Sequence, residues 1–153
     1  RGGQRSSSLA HVLSSIGFRA TVLEGGYVTY RRDVRRVIDE LAPRLRLRVV
    51  CGPTGSGKTT LLRDLVEHGW QVLDLEGLAK HRGSVLGNVE GGQPTQKMFE
   101  SLLAAGMRLC DPARPVWVED EGQKIGQLHL PTALFDQMRR APRIETVVPF
   151  QER

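Results

Sequence analysis

The chain has 153 residues, 39% hydrophobic and 25% charged, the proportions of one soluble globular domain rather than two full ones. It contains no run of 18 apolar residues to form a membrane-spanning helix, and no secretory signal pattern is visible. A net charge of +5 favours a polyanionic partner such as nucleic acid, while an aromatic content of 5% argues against a single-strand binder built on stacked bases.

In chain order, "RGGQRSSS" reads as a Gly/Ser/Arg loop and "LAHVLSSIGF" as a short helix closed at Gly17. "RATVLEGGY" follows as an expected strand running into a Gly-Gly turn. "TYRRDVRRVIDELAP" has helical spacing, with Val34, Val37, Ile38 and Leu41 on one face and Pro43 ending it. This charged helix is expected to connect two structural units.

From Leu45 the pattern becomes strand, loop, helix. "LRLRVVC" is a strand, "KTTLLRDLVEHG" a helix and "WQVLDLEG" a second strand. A polar, Gly-rich loop then leads to a helix beginning near Pro94, with Phe99, Leu102, Leu103 and Met107 as its apolar face. "PVWVEDE" is a third strand, "PTALFDQMRRA" a helix and "RIETVVPF" a fourth strand. This alternation predicts an α/β fold with a parallel sheet and helices on both faces. Cys51 and Cys110 lack partners at metal-ligand spacing and read as reduced core thiols of a cytosolic protein.

The strongest chemical signal is "CGPTGSGKTTLL", a Gly-x-x-x-x-Gly-Lys-Thr pattern between an expected strand and an expected helix. Gly52, Gly55, Ser56 and Gly57 would turn the backbone so that its N–H groups point inward, with Thr60 following in the helix. Those donors and the helix dipole form a cradle for phosphate oxygens. Lys58 adds a positive charge over the terminal phosphates, and the Thr59 hydroxyl is placed for Mg²⁺.

A cation also needs carboxylates. Asp74 and Glu76 lie two apart at the expected end of the second strand, and Glu119, Asp120 and Glu121 end the third. Glu119 is the candidate metal ligand, and Asp74 a candidate catalytic carboxylate; a solvated strand end or a helix cap is the alternative for each. In "KHRGS", His81 is a candidate proton donor and Arg82 a candidate phosphate grip, on a loop whose glycines suit a lid. A solvated basic loop is the alternative there. Gln93, Gln96 and Lys97 are expected to start a helix with their polar ends toward the site, whereas Phe99, Trp70 and Trp117 read as packing residues.

Taken together, "GPTGSGKTTLL", "VLDLEGLAKHRGSVLG", "QPTQKMFE" and "VEDEGQKIGQLHLP" resemble the C-terminal P-loop domain of the tRNA 2-selenouridine synthase family. The front, "RGGQRSSSLAHVLSSIGF" and "VLEGGYVTYRR", is similar to the closing part of the rhodanese-like domain that precedes it there. The resemblance implies a rhodanese-like remnant over residues 1–34, a connector helix over 35–46 and a P-loop domain, short of its final helices, over 47–153. It implies a cysteine two residues ahead of Arg1, with Arg1, Gly2, Gly3, Arg5 and Ser6 as the rest of a loop that stabilises a thiolate or anion.

The implied activity is replacement of sulfur by selenium in wobble 2-thiouridine of tRNA through an S-geranylated intermediate. Geranyl diphosphate and selenophosphate are the donors, tRNA is the partner, a selenophosphate-producing enzyme is a further candidate partner, and the location is the cytoplasm. One departure stands out: where the family reads Glu-Asp-Glu-Ser-Arg, this chain has Gly122 and Gln123 after its acidic run, with Lys124 next. The competing readings are an ATP-using small-molecule or nucleoside kinase and a non-catalytic RNA-binding module.

Overall fold

A computed structural model describes residues 3–81 and 91–147. The chain divides into two compact units, Arg1–Arg36 and Val37–Arg153. Arg1, Gly2, Arg82 and the rest of residues 82–90 lie outside the described residues, as does the segment from 148 on.

In the first unit, helix α1 (Gln4–Ser15) begins inside the stretch read from sequence as a loop. Its serines do not break it, because the Ser8 and Ser15 hydroxyls donate back to the carbonyls of Gln4 and His11, both at 2.9 Å. The strand expected at residues 19–27 does not form; residues 18–23 have no regular structure, and α2 (Gly26–Leu41) starts directly after Gly25. A strand needs a neighbour to satisfy its backbone groups, and none exists among the described residues of this unit. No residue of α1 is buried, and Leu9, Val12, Ile16 and Phe18 are all more than half exposed, because so short a unit holds too few apolar groups to cover one another. Helix α2 runs on into the second unit; of its expected stripe Val34, Val37 and Ile38 are buried and Leu41 is half-buried.

In the second unit, Pro43 ends the helical path in a 3-10 turn (Ala42–Arg44), which leads into β1 (Arg46–Cys51). Then follow α3 (Lys58–Glu67), β2 (Gln71–Val72), α4 (Leu75–Ala79), α5 (Gln96–Arg108) and β3 (Pro115–Glu119). The chain continues through β4 (Lys124–Ile125), β5 (Leu128–His129), α6 (Thr132–Arg140) and β6 (Arg143–Glu145). β2, β3, β1 and β6 form, in that order, a four-stranded parallel sheet, as expected from the alternation of strands and helices. Helices α3 and α6 pack on it, and Leu47, Val49, Val50, Val116 and Val118 fill its centre with exposures of 2% or less. Burial on both faces explains the adjacent Val49 and Val50 of β1 and the apolar run of β3, whereas Arg46 and Arg48 at the start of β1 are left uncovered or half-covered.

Two features depart from the sequence reading. The second strand stops at Val72, and Asp74 instead caps the five-residue helix α4, its Oδ1 accepting from the Gly77 N–H at 2.8 Å. The antiparallel hairpin of β4 and β5 was not expected at all, since two-residue strands carry no readable period. The Gln93 and Gln96 side chains hold it. Gln93 donates to the Ile125 carbonyl at 3.0 Å and accepts from the Gln127 N–H at 2.7 Å. Gln96 donates to and accepts from the His129 backbone, each at 2.9 Å. A primary amide carries the same donor–acceptor pair as a peptide, so the two side chains extend the ladder instead of facing a ligand.

Candidate functional site

The phosphate loop joins β1 to α3 at the carboxyl end of the sheet's central strands. Gly57 sits at φ 80 as the N-cap of α3, a conformation that favours glycine, with open space where a side chain would stand, and the first N–H groups of the helix after it have no partner within the helix. Gly52, at φ 147, is needed for closeness: a Cβ there would lie 2.8 Å from Ser56 Oγ and 2.9 Å from the Thr146 carbonyl oxygen. The backbone therefore runs tight against the segment after β6.

That segment supplies a residue the sequence reading missed. The register pairs Cys51 with Glu145, which puts Thr146 one step further on, beside Gly52. Its N–H donates to the Cys51 carbonyl at 2.8 Å, and its hydroxyl shares a 2.7 Å hydrogen bond with the Ser56 hydroxyl. Ser56 is only 4% exposed, so its hydroxyl depends on this partner. Thr146 thus ties the start and the middle of the loop to the edge strand. The available clue was topological: in a parallel sheet, the residue ending a strand beside the loop strand must abut the loop.

The loop opens on a cleft of 830 Å³ lined by Gly52, Gly55, Ser56, Gly57, Lys58, Thr59 and Thr60 on one side, with Arg63 further along α3. Glu76, Glu119, Asp120, Glu121, Gly122 and Lys124 line the other. Lys58 Nζ donates to the carbonyls of Gly52 at 2.9 Å and Pro53 at 3.2 Å, and lies 3.7 Å from Glu119.

The acidic run divides by alternation. Asp120, at the cleft's margin, is engaged by Arg143 at 2.5 Å, while Glu119 and Glu121 lie in the cleft close to Glu76. Glu76 meets them from α4, and carboxylate oxygens of the three lie within 4.8 Å of one another. Burial raises the Glu119 carboxyl, Glu76 adds to this, and Lys58 opposes it. Glu121 is pushed up to about 7, first by burial and then by Glu76 and Glu119, so near neutral pH it holds a proton part of the time. An all-oxygen donor set beside the Thr59 hydroxyl fits a hard divalent cation such as Mg²⁺.

The other expected residues lie elsewhere. Asp74 is exposed and occupied as a helix cap, so it does not line the cleft. His81 is 8% exposed and also absent from the lining; its ring packs where a side chain at Gly126 would be, and its Nδ1 has no hydrogen-bond partner among the described residues. Arg82, Arg1 and Gly2 lie outside the described residues. Gly3 is the N-cap of α1, followed by Arg5 and Ser6 in its first turn. Gly122 borders the cleft, and a Cβ there would meet nothing closer than 3.9 Å, so the serine usual in the family would fit without strain.

A glycine-rich loop between a central parallel strand and a helix, faced by carboxylates from the neighbouring strand, places the second unit in the P-loop class of phosphate-binding domains. Within that class the match is specific: residues 45–153 match the tRNA 2-selenouridine synthase AAA domain, and the chain belongs to that family. It is 42% identical over 146 residues to tRNA 2-selenouridine synthase of Alcanivorax borkumensis, covering 94% of this chain and 39% of the relative. Against the proteins of the same name from Nitrosomonas europaea and Aeromonas salmonicida, identity is 36% over 156 residues and 41% over 155. Those two alignments cover all of this chain and 40% and 41% of the relatives, so the chain spans about two fifths of their length. No solved structure matches.

Proposed function

We propose that the chain is part of an enzyme that replaces sulfur by selenium in wobble 2-thiouridine of tRNA, and that its cleft holds the phosphate end of a donor. The observation that carries this reading is the loop from Gly52 to Thr60 lining one cleft with Lys58 and the three glutamates. Family membership favours group transfer to tRNA over the small-molecule kinase reading.

Geranyl diphosphate and selenophosphate both present phosphate oxygens to such a cradle. In the geranylation step the uridine sulfur attacks C1 of the geranyl group. The C–S bond forms as the C–O bond breaks, and diphosphate leaves with the electron pair. Loop N–H groups and Lys58 stabilise the charge that gathers on the departing oxygens. Thr59, Glu119 and the adjoining Glu76 and Glu121 would hold Mg²⁺, which when bound supplies further positive charge against the phosphates. Lys124 keeps one cation at the rim where Gln123 replaces the family's arginine. Selenophosphate then provides the selenium: its selenium bonds to C2 of the base as the C2–S bond breaks and geranylthiolate leaves with the electron pair, and water cleaves the Se–P bond to release phosphate; the reaction belongs in the cytoplasm with tRNA.

The test is geranyl transfer to 2-thiouridine tRNA by the full-length protein. Lys58→Ala should lower the rate by about 100-fold or more. Undiminished transfer by that variant would sink the assignment.

A further inference from the structure

The opposite end of the same sheet carries a second charged feature. A groove of 340 Å³ lies where the 3-10 turn, the start of β1 and the end of α6 meet, and Arg44, Arg46, Arg48 and Arg140 line it with no carboxylate among the described residues. Arg46 and Arg48, two apart on β1, point to one side. Gln137 Nε2 donates to the Leu45 carbonyl at 2.9 Å and fixes the turn against α6, whose last turn carries Arg140. Two of the guanidinium groups have backbone partners: Arg46 Nη1 donates to the Ala113 carbonyl at 2.9 Å, and Arg48 Nη1 to that of Leu47 at 3.2 Å. Those carbonyls orient the groups without neutralising them.

We propose that this groove docks the phosphodiester backbone of RNA, an inference that rests on the reading of tRNA as the substrate. Four like charges in one groove repel, and an anion laid across them relieves that repulsion. Guanidinium groups offer paired N–H donors that match phosphate oxygens. Along β1 the groove begins at Arg48, about 13 Å from the phosphate loop at Gly52, and continues away from it to Arg44, a span that a folded RNA covers. Among the described residues no aromatic side chain lines the groove, so these offer no platform for bases and suit the backbone, independent of sequence. An acidic polypeptide is less well served, because Leu45 and Leu47 are buried and the apolar surface left to it is that of Pro43, Ala141 and Pro142, with no large side chain as an anchor.

The experiment measures tRNA affinity of the full-length protein against potassium chloride concentration. The double variant Arg44→Gln, Arg140→Gln changes two exposed residues, and Arg44→Lys, Arg140→Lys retains the charge. The glutamine variant should bind tRNA about tenfold more weakly near 100 mM salt, and the magnitude of its log–log salt slope should fall by about 1–2. The lysine variant should recover most of the slope, and inorganic diphosphate should bind all three proteins equally. Unchanged tRNA affinity and slope in the glutamine variant would overturn the groove assignment alone. Loss of polyglutamate binding with tRNA binding intact would overturn it in favour of an acidic protein partner. A wild-type protein with no salt-sensitive tRNA affinity would overturn the tRNA reading beneath it.

Discussion

The two ends of β1 hold charge in opposite ways. At its carboxyl end Lys58 faces Glu119 within a mixed cleft, where loop carbonyls and carboxylates compete for one ammonium. At its amino end four arginines share a groove with no carboxylate among the described residues on its walls, and backbone carbonyls are the partners of two of them. A mixed, half-buried site gains from fixed geometry and suits a compact guest that must be oriented. An open, single-sign surface tolerates variation and suits an extended polyanion. One end selects, and the other attracts.

If geometry governs the carboxyl end, disturbing the loop's fit should cost more than disturbing any single charge at the amino end. The largest effect is expected from Gly52→Ala, whose new methyl group collides with Thr146 and Ser56 at a φ that disfavours side chains. It should destabilise the fold by about 2 kcal/mol or more and abolish diphosphate binding, read by thermal melting and calorimetry. A variant that binds normally would show the loop to be more pliant than described.

Thr146→Val keeps the shape and removes the hydroxyl, leaving the buried Ser56 hydroxyl unpaired at a cost of about 1–3 kcal/mol. The donor KM should rise severalfold, and Thr146→Ser should restore it. Equal KM values in all three proteins would remove Thr146 from the account.

The smallest effect is a pH dependence from Glu121. Its folded pKa, about 7, lies above the ordinary 4.5, so the native state binds more protons than the unfolded chain between those values. This group therefore lowers stability as pH rises from 4.5 to 7. Glu121→Gln should gain on the wild type across that window by on the order of 1 kcal/mol, since partial exposure screens the full linkage value. A difference that stays constant with pH would show that neither burial nor the neighbouring glutamates raise Glu121.

The phosphate loop was legible because its residues are contiguous and each conformation it needs has a residue type to match. The acidic run was legible as a group, but its division between the cleft and its margin depends on strand alternation and on Arg143, which comes 23 residues after Asp120. "WQVLDLEG" alternates like a strand, yet Asp74 caps a helix there because its carboxylate reaches the Gly77 N–H. The strand expected at 19–27 failed for lack of a partner, which no local pattern reveals. Thr146 lies 90 residues from Ser56, and nothing in its neighbourhood announces a hydroxyl bond across the sheet. His81 had the chemistry of a proton donor but not the position.

The central claim is that this loop holds the diphosphate of a donor, and calorimetric titration of the full-length protein with geranyl diphosphate tests it most directly. The account predicts saturable binding by the wild type and at least about 100-fold weaker binding by Lys58→Ala. Equal affinity in the two proteins would contradict it.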